Sequence, residues 1–130
     1  MATPDRRRER GELGERIAAR HLVAQGYEIL ERNFRTRRGE LDVIAADERC
    51  IVFCEVKTRV AGGRSGPLRG IDAIGHAKRR RLRALAGQWL RARPAGEGRP
   101  ARARLRFDAI DVTLSPGGAL VSLEHVPDAF

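Results

Sequence analysis

Lysine is nearly missing from a chain that is otherwise strongly basic. Of its 26 basic residues only Lys57 and Lys78 are lysines, and the rest are arginines. A compact ammonium and a guanidinium fork do different chemistry, so these two positions are worth following. Cysteine is almost as scarce, with Cys50 and Cys54 alone. In an extended segment their backbones lie roughly 13 Å apart, well beyond the ~7 Å reach of a disulfide. With three scattered histidines (His21, His76, His125) they make no recognisable zinc spacing, so both read as small buried hydrophobes. No apolar run approaches the ~20 residues that span a bilayer. The opening MATPDRRRER has no apolar stretch behind its charges and is not expected to be a secretory signal. A cytoplasmic protein without membrane association is the expectation.

What is present is charge and enough apolar content for one core. The chain has 130 residues, 42% of them hydrophobic, which suits a single domain and argues against wholesale disorder. A formal charge of +9 and a pI near 11.2 favour an anionic partner. Nucleic acid is the commonest such partner for a compact protein. A basic amphipathic helix on a membrane and a compositional bias toward arginine are the rival explanations.

The pattern along the chain predicts an α/β domain, with a mixed central sheet of about five strands flanked by helices. Residues 1–10 read as a flexible basic arm, and 11–130 as one domain. ELGERIAARHLVAQ forms a helix from about Gly11 to Gln25, ended by Gly26. Helical spacing puts Glu15 on an arc with Ala18, Ala19, Leu22 and Val23. There it either faces a buried site or simply favours the helix dipole. Strands follow at 27–34, 40–46 and 50–57, then a Gly/Arg-rich loop at 58–70. A long helix over 71–93 carries the apolar stripe Ile74, Leu82, Leu85 and Trp89. Lys78 lies on the same line, beside the basic run Arg79, Arg80, Arg81 and Arg83. A Gly/Pro/Arg linker (94–103) leads to two closing strands, 104–114 and 119–126, joined at Ser115-Pro116-Gly117-Gly118.

The segment GELDVIAADERCIVFCEVK concentrates the chemistry. If Asp47 faces Cys50 across the turn, Asp42 lies opposite Glu55 and Glu40 opposite Lys57, and all four charges share one face. Ile44 and Phe53 share that face nearer the turn, while Leu41, Val43, Ala45, Val52, Cys54 and Val56 form an apolar opposite face. A one-residue slip would separate the carboxylates. Two carboxylates this close repel unless a cation lies between them, and a hard divalent ion such as Mg²⁺ or Mn²⁺ takes oxygen ligands of this kind. The competing reading is a salt-bridged, solvated face.

Asp42…Glu55-x-Lys57 resembles the PD-(D/E)xK motif of the restriction-endonuclease-like fold, with Leu-Asp where some members have Pro-Asp. GERIAARHL, GYEILERNFR, GELDVIA, VFCEVKTR and RFDAIDV, in this order, resemble the YraN family. That bacterial family is described as uncharacterised and related to archaeal Holliday-junction resolvases. The resemblance spans about residues 11–113. It implies a restriction-endonuclease-like core and a metal-dependent endonuclease acting on DNA, branched or junction DNA included. By position it makes Asp42 and Glu55 metal ligands with the Val56 carbonyl, Lys57 the catalytic lysine, and Glu15 a first-helix glutamate directed to the metal. Glu40 and Lys78 take supporting roles, although GIDAIGHA before Lys78 departs from the Thr-containing version of that motif. Arg106, Phe107 and Asp108 match a signature better explained by structure than by catalysis. Arg35, Arg37, Arg38, Arg59, Arg64, Arg79 and Arg80 are expected on phosphates, which gives affinity without base selectivity. Resolvases act as dimers, so a homodimer is expected by the same resemblance. The alternative is a nucleic-acid-binding module that keeps the fold without cleavage.

Overall fold

A computed structural model describes residues 3–62, 75–93 and 104–130. Its elements run α1 (Pro4–Ala24), β1 (Glu28–Thr36), β2 (Gly39–Ala46), β3 (Cys50–Val60), α2 (His76–Ala92), β4 (Arg104–Leu114) and β5 (Leu120–Val126). This is the expected order. The five strands form one mixed sheet in the order β1-β2-β3-β4-β5, with β3 and β4 parallel and the other neighbours antiparallel. The parallel pair is joined through α2, as a parallel connection requires. The architecture is an α/β fold consistent with a restriction-endonuclease-like core.

Helix α1 begins at Pro4 rather than near Gly11 because Thr3 caps it. The Thr3 hydroxyl accepts from the Arg6 N–H, proline holds the first turn and Asp5 follows. Residues 4–10, expected as a flexible arm, are therefore helical, although all but Arg10 are exposed. The helix buries Gly14, Ala18, Ala19 and Leu22, while Val23, placed on the same arc by spacing, is exposed. Gly14 is the point of closest approach, where a Cβ would collide with the Thr58 hydroxyl of β3.

The β2–β3 turn explains why an unfavoured Glu48-Arg49 corner holds the expected register. The Asp47 carboxylate accepts from the N–H groups of Arg49 and Cys50, each at 2.8 Å, and the Asp47 N–H donates to the Cys50 carbonyl. Val43, Ile44, Ala45 and Ala46 then pair with Cys54, Phe53, Val52 and Ile51. Apolar residues fill both faces of the central strands. Toward α1 lie Val43, Ala45, Cys50, Val52, Cys54, Ile110, Val112 and Leu114, and toward α2 lie Ile44, Ala46, Ile51, Phe53, Phe107 and Ala109. Both cysteines are free and buried.

Helix α2 packs through Leu82, Leu85, Ala86 and Trp89. Phe53 lies edge-on to Trp89 and stacks on Phe107, with centroids 5.8 and 5.3 Å away. The Trp89 indole N–H donates to Glu31, tying α2 to β1. Ile74, Arg64 and the 94–103 linker lie outside the described residues. The loop expected from Thr58 starts later, since β3 continues to Val60 beside β4. Leu41 also departs from expectation, packing with Ile44 on the α2 side. Asn33, in the neighbouring strand, adopts a left-handed φ of 56°, a local distortion beside the point where strict alternation fails.

Candidate active site

Strands β2 and β3 separate beyond the Val43–Cys54 pair. β2 continues along β1, with Leu41 opposite Phe34 and Glu40 opposite Arg35, while β3 continues along β4 to Val60. The expected pairing of Glu40 with Lys57 is therefore not formed, because each strand follows its outer neighbour. Asp42 occupies the fork. Its Oδ2 accepts the Val56 N–H at 2.8 Å, replacing the backbone partner that β2 would have supplied. A residue whose N–H points to one edge of a strand turns its C=O to the same edge, so the Val56 carbonyl is also directed at the fork.

A cleft of about 230 Å³ opens here, lined by Gly39, Glu40, Asp42, Glu55, Lys78, Arg81 and Leu82. From the other face α1 brings Glu15, so that carboxylate oxygens of Glu15, Glu40 and Asp42 all lie within 4.8 Å of one another. Only part of this negative charge is balanced. Glu40 accepts from Arg35 Nε at 2.8 Å, Arg32 stands 3.9 Å from Glu15, and Lys78 Nζ lies 2.7 Å from Glu55. Among the described residues Asp42 has no cationic partner and is only 6% exposed.

The electrostatic consequence is large. Burial, then the charge of Glu55, with Glu15 and Glu40 adding to it, pushes the Asp42 carboxyl up to about 8 against the pull of the Val56 N–H. Burial and the nearby Glu40 also raise Glu15, opposed by Arg32, Asn33 and Arg35. Oxygen-only donors, crowded and mutually repelling, suit a hard divalent cation and not a soft one. The residues present therefore fit Mg²⁺ or Mn²⁺. Asp42, Glu15 and Glu40, whose oxygens converge, would be its nearest holders, while Glu55 lines the same cleft and is engaged by Lys78.

The structure places Asp42, Glu55 and Glu40, which spacing groups, on one cleft with Lys78, and sets Glu15 beside Asp42 and Glu40. Lys78 and Glu15 are the two expected there by the resemblance. Lys57 differs: it is exposed and does not line the cleft. Arg59, expected on phosphate, has Nη2 2.6 Å from buried Asp111, and Arg35 is engaged by Glu40. Arg37, Arg38, Arg79 and Arg80 are exposed. Arg81, within the basic 79–83 stretch expected on phosphates, lines the cleft itself. The signal was its position three residues after Lys78, on the same helical face.

Arg106 and Asp108 lie elsewhere, in a closed network. Arg106 donates from Nε and Nη2 to the two oxygens of Asp108, both at 2.8 Å, and from Nη2 to the Tyr27 hydroxyl. Asp108 also receives His125 Nε2 at 2.8 Å and the Asp128 N–H at 3.0 Å. His125 Nδ1 in turn lies 3.0 Å from His21 Nε2 on α1. The network joins β4 to Tyr27, to β5 and, through His21, to α1.

Residues 14–112 match the sequence model of the uncharacterised protein family UPF0102. A UPF0102 protein of Frankia casuarinae is 44% identical over 120 residues, covering 92% of this chain and 94% of that protein. Another from Kineococcus radiotolerans is 42% identical over 118 residues, covering 89% and 88%. One from Geobacter metallireducens is 40% identical over 120 residues, covering 92% and 90%. No described helix is long and apolar enough to cross a membrane.

Proposed function

This chain belongs to the uncharacterised protein family UPF0102, and we propose that it is a metal-dependent endonuclease that hydrolyses DNA phosphodiesters. The observation that carries this reading is Asp42: a buried aspartate pushed up to about 8, set among Glu55, Glu15 and Glu40. Removing such charge from water without a cation destabilises a fold, and a divalent ion offsets the repulsion. When bound, that ion polarises a phosphoryl oxygen and lowers the pKa of an attacking water. Asp42 and Glu55 would hold it, with Glu15 supplying a carboxylate from α1.

The surroundings support an anionic polymer as substrate. The carboxylates are concentrated in a chain of formal charge +9, and exposed Arg37, Arg38, Arg79 and Arg80 are available to phosphates. Phosphate contacts of this kind bind without reading sequence. Branched DNA and a homodimer enter the proposal through the resemblance to resolvases. One observation favours the alternative, a DNA-binding module without turnover: Lys57 stands outside the cleft.

Purified protein incubated with branched, duplex and single-stranded DNA in Mg²⁺ or Mn²⁺ separates the two. Cleavage that disappears in Glu55→Ala and Asp42→Ala, while DNA binding persists, is the expected outcome. Equal behaviour of wild type and variants on every substrate would sink the catalytic reading.

A further inference from the structure

Lys78 is the second of the two lysines, and its position is unusual on electrostatic grounds. It lies in the opening turn of α2, which has no acidic residue there and no side-chain cap. Positive charge is disfavoured at that end of a helix. What holds it is tertiary: Nζ meets Glu55 Oε1 at 2.7 Å, with the two side chains only 23% and 12% exposed. The pair faces the same cleft as Asp42, and Arg81 lies on the same lining. Lys78 therefore neutralises Glu55, while among the described residues Asp42 has no counter-ion.

We propose that Lys78 is a displaceable counter-ion, occupying Glu55 until a divalent cation takes over that carboxylate. The inference rests on the metal-binding reading above and adds regulation to it. A cation shared by Asp42 and Glu55 competes directly with the ammonium for Glu55. An ammonium on a flexible four-carbon stem can withdraw, which a rigid bidentate fork does less readily. The cleft mouth, where Arg81 already stands, is the place open to it. There it adds positive charge on the side from which a phosphate approaches. In this chain the lysine that responds to the metal is thus on α2, not at Lys57 of the Glu-x-Lys strand.

Competition has a signature that a purely structural ion pair lacks: removing the lysine tightens cation binding. Direct Mn²⁺ titration by electron paramagnetic resonance, without DNA, should show Lys78→Met binding about 2- to 5-fold more tightly than wild type. Methionine keeps an unbranched apolar stem, so α2 packing is preserved, and a circular dichroism melt checks the fold. Lys78→Arg, which keeps the charge, should bind no more tightly than wild type, and Lys57→Met should be unchanged. Unchanged or weaker Mn²⁺ binding by folded Lys78→Met overturns the counter-ion role while the metal site stands. Absence of Mn²⁺ binding by wild type overturns both.

Discussion

Asp42 and Asp108 are both buried aspartates on central strands, and the protein treats them in opposite ways. Asp108 is fully buried, yet Arg106, His125 and the Asp128 N–H all point at it. Burial pushes its carboxyl up, but these hydrogen bonds outweigh it and hold it below the ordinary value. Asp42 has one N–H and three carboxylate neighbours, and is pushed up to about 8. Burial alone therefore says little about an acid. The difference separates a carboxylate surrounded by donors from one crowded by other carboxylates.

The sharpest way to break this comparison is at Asp108. Asp108→Ala leaves the Arg106 guanidinium half-buried without its partner, and removing one side of a buried pair costs about 3–5 kcal/mol. Urea unfolding at neutral pH measures it. A loss below about 1 kcal/mol would mean that the network does not consolidate α1, β4 and β5. The wild-type contribution has a pH sign as well. A lowered carboxyl stabilises above its unfolded pKa, near 3.8, and that stability disappears as pH falls further.

Helix α1 connects the two regions, carrying Glu15 to Asp42 and His21 to His125. Gly14→Ala places a methyl against Thr58 and forces α1 outward, at a cost of about 1–3 kcal/mol. Because Glu15 is the next residue, Mn²⁺ binding should weaken as well. A variant that loses stability yet binds Mn²⁺ like wild type would remove Glu15 from the site.

At Asp42 the expected sign is reversed. Its raised carboxyl favours the folded state below the unfolded pKa near 3.8, and that contribution is lost as pH rises toward about 8. Asp42→Asn keeps an acceptor for the Val56 N–H and removes the charge. In chelator it should therefore stabilise the protein by about 1–2 kcal/mol at pH 9 and by almost nothing below pH 4. Excess Mg²⁺ should narrow the gap, since only wild type gains from ligand binding. A variant less stable than wild type at pH 9 in chelator would show that Asp42 is not strained.

The two aspartates were not equally legible. Asp42 and Glu55 met in the sequence because a hairpin is local: apolar alternation and the Asp47 turn set the register. What alternation omits is that β2 and β3 each follow a different outer strand, which opens the fork and separates Glu40 from Lys57. The left-handed Asn33 and the displaced Leu41 belong to the same blind spot. Asp108 lay in a recognisable segment, but His125 and Asp128 reach it, and Tyr27 reaches its partner Arg106, across distances that no periodicity bridges. Lys78 aligned with a helical stripe, whereas its contact with Glu55 required the β3–α2–β4 crossover. The succession of helices and strands along the chain, by contrast, followed from patterns contained within each element.

Glu40 stands between the two extremes and gives the smallest effect. It belongs to the crowded carboxylates, yet it is solvent-exposed and accepts from Arg35 Nε at 2.8 Å, with the arginine side chain 73% exposed. Ion pairs this exposed contribute little, so Arg35→Ala should change unfolding stability by no more than about 0.5 kcal/mol. Its influence on the site should exceed its influence on the fold. Without Arg35, the unscreened Glu40 charge acts on Glu15 and Asp42, and both effects favour a divalent cation. Mn²⁺ binding should therefore tighten about twofold at low salt, with the gain falling at high salt. A salt-independent gain, or a weakening, would place Glu40 outside the group of carboxylates that Asp42 senses.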